Sequence, residues 1–190
     1  MAFKVKLGIS ARHVHLSQED YDVLFGAGTS LSSIKDLGQP GEFACEEKVD
    51  LVSEKGTLKG IRVIGPIRAK TQIELAMADA RVLRIEPPVR ESGQVEGSCG
   101  IKIVGPKGEV TIAEGVIIAA RHMHLDTKTA EENGFKDKEF VKVRIPGERA
   151  LVFEQVLVRV KDTYAPEFHI DTDEGNACLA YNDQMVEVIK

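Results

Sequence analysis

Two stretches of this sequence set histidines where they could share a metal ion. Ile9-Ser10-Ala11-Arg12-His13-Val14-His15-Leu16 returns 109 positions later as Ile118-Ala119-Ala120-Arg121-His122-Met123-His124-Leu125. The octets are identical at six of eight places and hold four of the chain's five histidines. Side chains alternate along a strand, so His-x-His puts both imidazoles on one face, about 6 to 7 Å apart. That is the reach of two ligands on one ion, and the doubled motif implies a metal site built twice. Each pair supplies only two ligands. His169, the remaining histidine, is the natural third ligand of one site, and a carboxylate must complete the other, with Glu74, Glu46, Glu47 and Asp171 all candidates. Three protein ligands and an open position are usual for catalytic zinc, whereas structural zinc is normally closed by four, often cysteines. The pattern favours catalysis.

A second chemical signal lies between Lys55 and Lys70, where Lys55, Lys59, Arg62, Arg68 and Lys70 occur without an acidic residue. In a chain of net charge -5 this is a local anion-attracting stretch. Arg68 follows Gly65-Pro66-Ile67, a turn that can aim a guanidinium at phosphate in bidentate geometry. Cys45, Cys99 and Cys178 are far apart and lack a Cys-x-x-Cys pair, which argues against a disulfide framework and a thiolate zinc site.

The elements that must position these residues are short. Residues 1–9 alternate and read as a strand leading into the first motif. Ser17-Gln18-Glu19-Asp20 has the form of a capping box and opens a helix to about Phe25, stopped by Gly26. A further helical turn is expected near Ser30 or Ser32, including Lys35. Lys48–Val52 and Thr57–Ile64 make a hairpin, Thr71–Leu75 a strand, Met77–Leu83 a helix, and Pro87-Pro88 an extended segment. Ile101–Val104 and Glu109–Ile112 form a second hairpin, and Val116–Ile118 runs into the second motif. Asp126 or Thr127 caps the next helix and Asn133-Gly134 closes it. Strands at 140–145, 155–160 and 185–189, with a short helix from about Asp173 to Ala180, complete the chain.

Many short strands with Gly and Pro turns give a mainly β fold of two small β-barrels with short capping α-helices, one barrel per copy of the motif. The sequence has no run of eighteen apolar residues and no long basic block, so neither a membrane span nor general nucleic-acid binding is expected.

These residues resemble a known family. The doubled Ala-Arg-His-x-His-Leu occurs with Gly65-Pro66-Ile67-Arg68, Pro88-Val89-Arg90-Glu91-Ser92-Gly93 and Phe168-His169-Ile170-Asp171-Thr172-Asp173-Glu174-Gly175-Asn176-Ala177. Together they closely resemble the propanediol-utilisation-type phosphate acyltransferases over almost the whole chain. The resemblance implies two interleaved barrels, residues 1–25 plus 116–190 forming one and 26–115 the other, and a dinuclear zinc centre. It implies that His13, His15 and Glu74 hold one Zn2+ and His122, His124 and His169 the second. Arg68 would bind phosphate as the catalytic residue, with Ser92 nearby, and Ser10, Lys35, Arg62, Ile64 and Asn176 would contact coenzyme A. The implied reaction converts a short-chain acyl-CoA, propanoyl or acetyl, and phosphate reversibly into acyl phosphate and coenzyme A, with no protein nucleophile. The family's role is in propanediol degradation, and a homodimer is compatible with it. Microcompartment members usually carry an added N-terminal amphipathic peptide. The first strand here begins by about Phe3, so a cytoplasmic address, or packaging in a microcompartment by another route, is expected. A dinuclear zinc hydrolase and a non-catalytic zinc-stabilised binding module are the competing readings.

Overall fold

The computed structural model describes residues 3–190 of the chain. In order it runs through β1 (Lys4–Ser10), β2 (His13–His15), α1 (Gln18–Phe25), β3 (Ser33–Asp36), β4 (Phe43–Val52), β5 (Thr57–Gly65), β6 (Gln72–Glu74), α2 (Met77–Leu83) and β7 (Val89–Arg90). The second half follows with β8 (Cys99–Val104), β9 (Glu109–Ala119), β10 (His122–Leu125), α3 (Thr127–Asn133), β11 (Phe140–Ile145), β12 (Leu151–Val160), β13 (Glu167–Asp171), α4 (Thr172–Cys178) and β14 (Met185–Ile189).

The chain forms two units, each with its own barrel. The first comprises the described residues through Ala11, Gly38–Pro40 and Ala120–Lys190. Its strands close in the order β1-β13-β10-β12-β11-β14. Alternation dictates what faces in: Val5 and Leu7 are buried while Lys4 is exposed, and Val141, Val143 and Ile145 alternate with exposed Phe140, Lys142 and Arg144. With Met123, Val158 and Phe168 they fill the barrel. The second unit comprises Arg12–Leu37 and Gly41–Ala119. There β4, β5, β2, β6, β9 and β8 pair in sequence, and β8 returns to β4, closing a second six-stranded ring. Val14, Leu16, Leu51, Val63, Ile73 and Ile103 form its core.

Each helix starts where a side chain satisfies a free backbone amide. Ser17 accepts from the Asp20 amide and opens α1, and Asp126 accepts from the Thr129 amide and opens α3. Gly134, at φ 69°, ends α3 in the left-handed conformation that glycine adopts without strain.

Two expectations change. The turn of helix near Ser30 to Lys35 is instead β3, an edge strand whose side chains are exposed and whose register is set by Lys35 opposite Ala44. The division between units falls at Ala11/Arg12 and Ala119/Ala120, with residues 12–25 and 116–119 in the second unit. The physical reason is strand pairing. β2 is bonded to β5 and β6, and β9 to β6 and β8, so neither motif simply continues the strand before it. The chain passes from one unit to the other just before each His-x-His. Each unit therefore holds one copy of the motif, preceded in sequence by a strand of the other unit.

Candidate metal centres

The two motifs sit in strand arrangements of the same design. In the second unit β2 runs parallel to β5 and antiparallel to β6, with His13 opposite Glu74 and His15 opposite Gln72. In the first unit β10 runs parallel to β12 and antiparallel to β13, with His122 opposite His169 and His124 opposite Glu167. A helix follows each of β2, β10, β6 and β13. The internal duplication thus extends well beyond the octets. The result is two triads, His13–His15–Glu74 and His122–His124–His169, in each of which one donor atom per residue lies within 4.8 Å of the others. The paired rings lean together, 4.9 Å between His13 and His15 and 4.7 Å between His122 and His124, closer than an ideal strand spacing.

The environment suits neutral imidazole ligands. His15 Nδ1 lies 3.1 Å from the Ile64 carbonyl and His122 Nδ1 2.8 Å from the Ala120 carbonyl. In the tautomer that donates Nδ1–H to those carbonyls, Nε2 keeps its lone pair for a metal, the usual outer-shell device. Burial, the neighbouring His13 and the charge of Arg68 lower the His15 pKa to about 3. Burial and the neighbouring His122, His169 and Arg159 lower that of His124 to about 2. Both nitrogens of His124 are buried without a hydrogen-bond partner. A buried polar atom left so is costly, and a bound cation would supply a partner for one nitrogen of the ring. The residues of both triads fit a zinc ion by donor type.

Glu74 is held on both sides. Its Oε2 stands 3.6 Å from His13 Nε2, while Oε1 accepts from Ser92 Oγ at 2.8 Å and from Gln72 Nε2 at 2.6 Å. The arginine of each motif clamps the helix that follows the third donor of its triad. Arg12 pairs with Asp79 in α2 at 2.8 Å, and Arg121 with Glu174 in α4 at 2.8 Å. Asp79 accepts from the Ala76 amide and Glu174 from the Asp171 amide, so each carboxylate joins a motif arginine to a helix start.

The profile of the phosphate propanoyltransferase family matches residues 6–181. The chain belongs to this family. It is 48% identical to a phosphate propanoyltransferase of Thermotoga maritima over 97% of this chain and 88% of that one. Identity is 46% to one of Rhodopseudomonas palustris over 99% and 83%, and 42% to one of Clostridioides difficile over 98% and 89%. As a member of the phosphate propanoyltransferase family the protein is an acyltransferase enzyme.

The remaining expected site residues distribute as follows. Arg68 lies just after β5, where its amide donates to the Leu16 carbonyl and its guanidinium pairs with Glu42 at 3.0 Å. Ser92 bonds Glu74 and Gln72. Arg62, opposite His13, donates to the Cys45 carbonyl, and Ile64 on the same strand supplies the carbonyl facing His15. Lys35 is exposed on β3. In the first unit Ser10 ends β1 opposite Asp171, and Asn176 lies in α4. Burial raises the thiol pKa of Cys45 to about 11 and pushes Cys178 upward, so neither is a ready thiolate nucleophile. The sequence reading missed Gln72, Glu167 and Gln39. The first two were within reach, since each stands two residues before the third donor of a triad and shares its strand face. Gln39 came from a connection with no pattern.

Proposed function

We propose that this acyltransferase transfers a short acyl group, propanoyl or acetyl, reversibly between coenzyme A and phosphate, with one zinc ion in each triad. The observation that carries the reading is the pair of buried or half-buried donor triads on matched strand arrangements, one with Arg68 close enough to depress its histidine. The family resemblance and the doubled motif support a dinuclear centre serving one reaction.

When bound, zinc supplies Lewis-acid polarisation of the acyl carbonyl and favours the thiolate form of coenzyme A. The chain's own groups do the rest. In the forward direction a phosphate oxygen attacks the thioester carbonyl, the carbon–sulfur bond breaks, and coenzyme A leaves as thiolate. Arg68 exchanges its pairing with Glu42 for the phosphate oxygens and offsets the negative charge that gathers in the tetrahedral intermediate. Ser92, bonded to Glu74, joins the metal ligand to the phosphate side. Ser10 and Asn176 in one unit, and Lys35, Arg62 and Ile64 in the other, are the proposed coenzyme A contacts. A cytoplasmic place in propanediol degradation belongs to the same proposal, and no helix among the described residues is long and apolar enough to cross a membrane.

The test is an assay of propanoyl phosphate and acetyl phosphate with coenzyme A, following thioester formation and phosphate release in parallel. Equal rates of the two are expected. Phosphate release without thioester would overturn the reading in favour of a hydrolase, and a zinc-bound protein with neither activity would favour a binding module.

A further inference from the structure

The two motif arginines obey one register. Arg12 directly precedes His13, and Arg121 directly precedes His122. Beyond each third donor the spacing repeats. The N-cap of the next helix stands two residues on, Ala76 after Glu74 and Asp171 after His169, and a carboxylate stands five residues on, Asp79 and Glu174. Both carboxylates divide their oxygens in the same way. Asp79 Oδ1 accepts from Arg12 at 2.8 Å and Oδ2 from the Ala76 amide at 3.3 Å. Glu174 Oε1 accepts from Arg121 Nε at 2.8 Å and Oε2 from the Asp171 amide at 3.2 Å. Two side chains of different length thus converge on one arrangement.

Each arrangement closes a ring of constraints around its triad. Arginine and first histidine are neighbours in the chain, strand pairing sets the first histidine opposite the third donor, and the third donor lies just before the helix start. The ion pair joins the remaining ends, so the two donor-bearing strands cannot splay without breaking it. The carboxylate side chains are 10% and 20% exposed, and the arginines 47% and 34%. Breaking such a pair leaves a carboxylate withdrawn from water without its counter-charge, which costs more than losing a surface pair. One difference separates the units. Asp171 also accepts from the Glu174 amide at 2.9 Å, whereas Ala76 has no side-chain acceptor, so the start of α2 depends more heavily on Asp79.

We propose that Arg12 and Arg121 are positioning residues, each fixing the third donor of its own triad against the first histidine through the carboxylate of the following helix. Neither is then a substrate contact, although both are partly exposed. This rests on the zinc reading above.

The experiment uses full-length zinc-loaded protein carrying Arg12→Met, Arg121→Met, Arg12→Lys or Asp79→Asn. Circular dichroism and thermal melting report the fold, and titration with a competing chelator, well below the melting temperature, reports each zinc affinity. At that temperature essentially every molecule is folded, so lost stability by itself leaves affinity unchanged. Arg12→Met should weaken one zinc about tenfold and leave the other as in wild type. Arg121→Met should weaken the other by a smaller factor, because Asp171 and Glu174 still hold the start of α4 between them. In Glu74→Gln protein, which keeps only the first-unit zinc, Arg12→Met should change nothing further and Arg121→Met should weaken what remains. Arg12→Lys keeps a donor and should recover part of the loss. Asp79→Asn removes the charge from the helix side and should reproduce the loss even where Arg12→Met folds poorly. Both affinities unchanged, or both lowered alike by Arg12→Met, would overturn the proposal. So would a raised KM for phosphate or acyl-CoA with both zinc ions held as in wild type, since the arginines would then be substrate contacts. Fewer than two zinc equivalents in wild type would sink the zinc reading itself, and the proposal with it.

Discussion

Replacing Gln72 with methionine separates a positioning role from simple core filling. Gln72 is 3% exposed and makes three side-chain hydrogen bonds, two as donor and one as acceptor. The bond to the Glu74 carboxylate is charge-assisted and contributes about 1.5–3 kcal/mol, and the bond to Ser92 about 1 kcal/mol. Gly93 is exposed, so its amide can turn to water at little cost. Methionine keeps the volume, and the expected loss of stability in metal-free protein is about 2–4 kcal/mol. For a chain of this length that lowers the melting temperature by roughly 5–15 °C. Glu74 would keep Ser92 as a donor but lose the rigid amide, so zinc affinity of the second unit should fall about 10- to 100-fold while that of the first is unchanged. Thermal melts of metal-free protein and chelator competition on the loaded protein measure the two effects separately. A lowered melting temperature with both zinc affinities intact would refute the reasoning and leave Gln72 as a packing residue. Gln72→Glu provides a second arm. It places a second carboxylate beside Glu74, so it should destabilise the metal-free protein by repulsion.

Three further outcomes follow from the site. Arg68→Ala should retain both zinc ions and raise the KM for phosphate at least tenfold, since its guanidinium pairs with Glu42 and no donor atom of either triad belongs to it; elemental analysis showing lost metal would contradict the role. Glu74→Gln should deplete one zinc of two, and two retained equivalents would point to another carboxylate. In native protein near pH 8 a disulfide reagent should modify Cys99 alone without abolishing turnover, because Cys45 and Cys178 are buried and their thiol pKa values are raised; loss of activity in step with labelling of Cys45 would refute this.

The histidines were legible because metal chemistry restricts residue type: imidazoles at two-residue spacing, repeated, have few other uses. The helix beginning at Ser17 and the one at Met77–Leu83 were legible because capping and apolar spacing are local signals. β3 was not, since its four exposed residues carry no alternation of burial and only backbone pairing with β4 makes them a strand. The family resemblance implied an exchange of strands between units, but the place where the chain crosses was hidden for a related reason. β2 is three residues long, and the partners that decide its unit lie about fifty to sixty residues further along. Glu74 was one carboxylate among several until the register set it opposite His13. That same register, applied two residues back, yields Gln72 and Glu167.

The exchange of strands also bears on the order in which the protein can form during synthesis. All of the second unit has been made once residue 119 is out of the ribosome. β1 is made before its partners β13 and β14, so it must wait unpaired until both have been made. An open strand edge invites pairing with other nascent chains, and lysines along it discourage this. Lys4 and Lys6, alternating with Val5 and Leu7, give the waiting strand that protection on the face that later meets water.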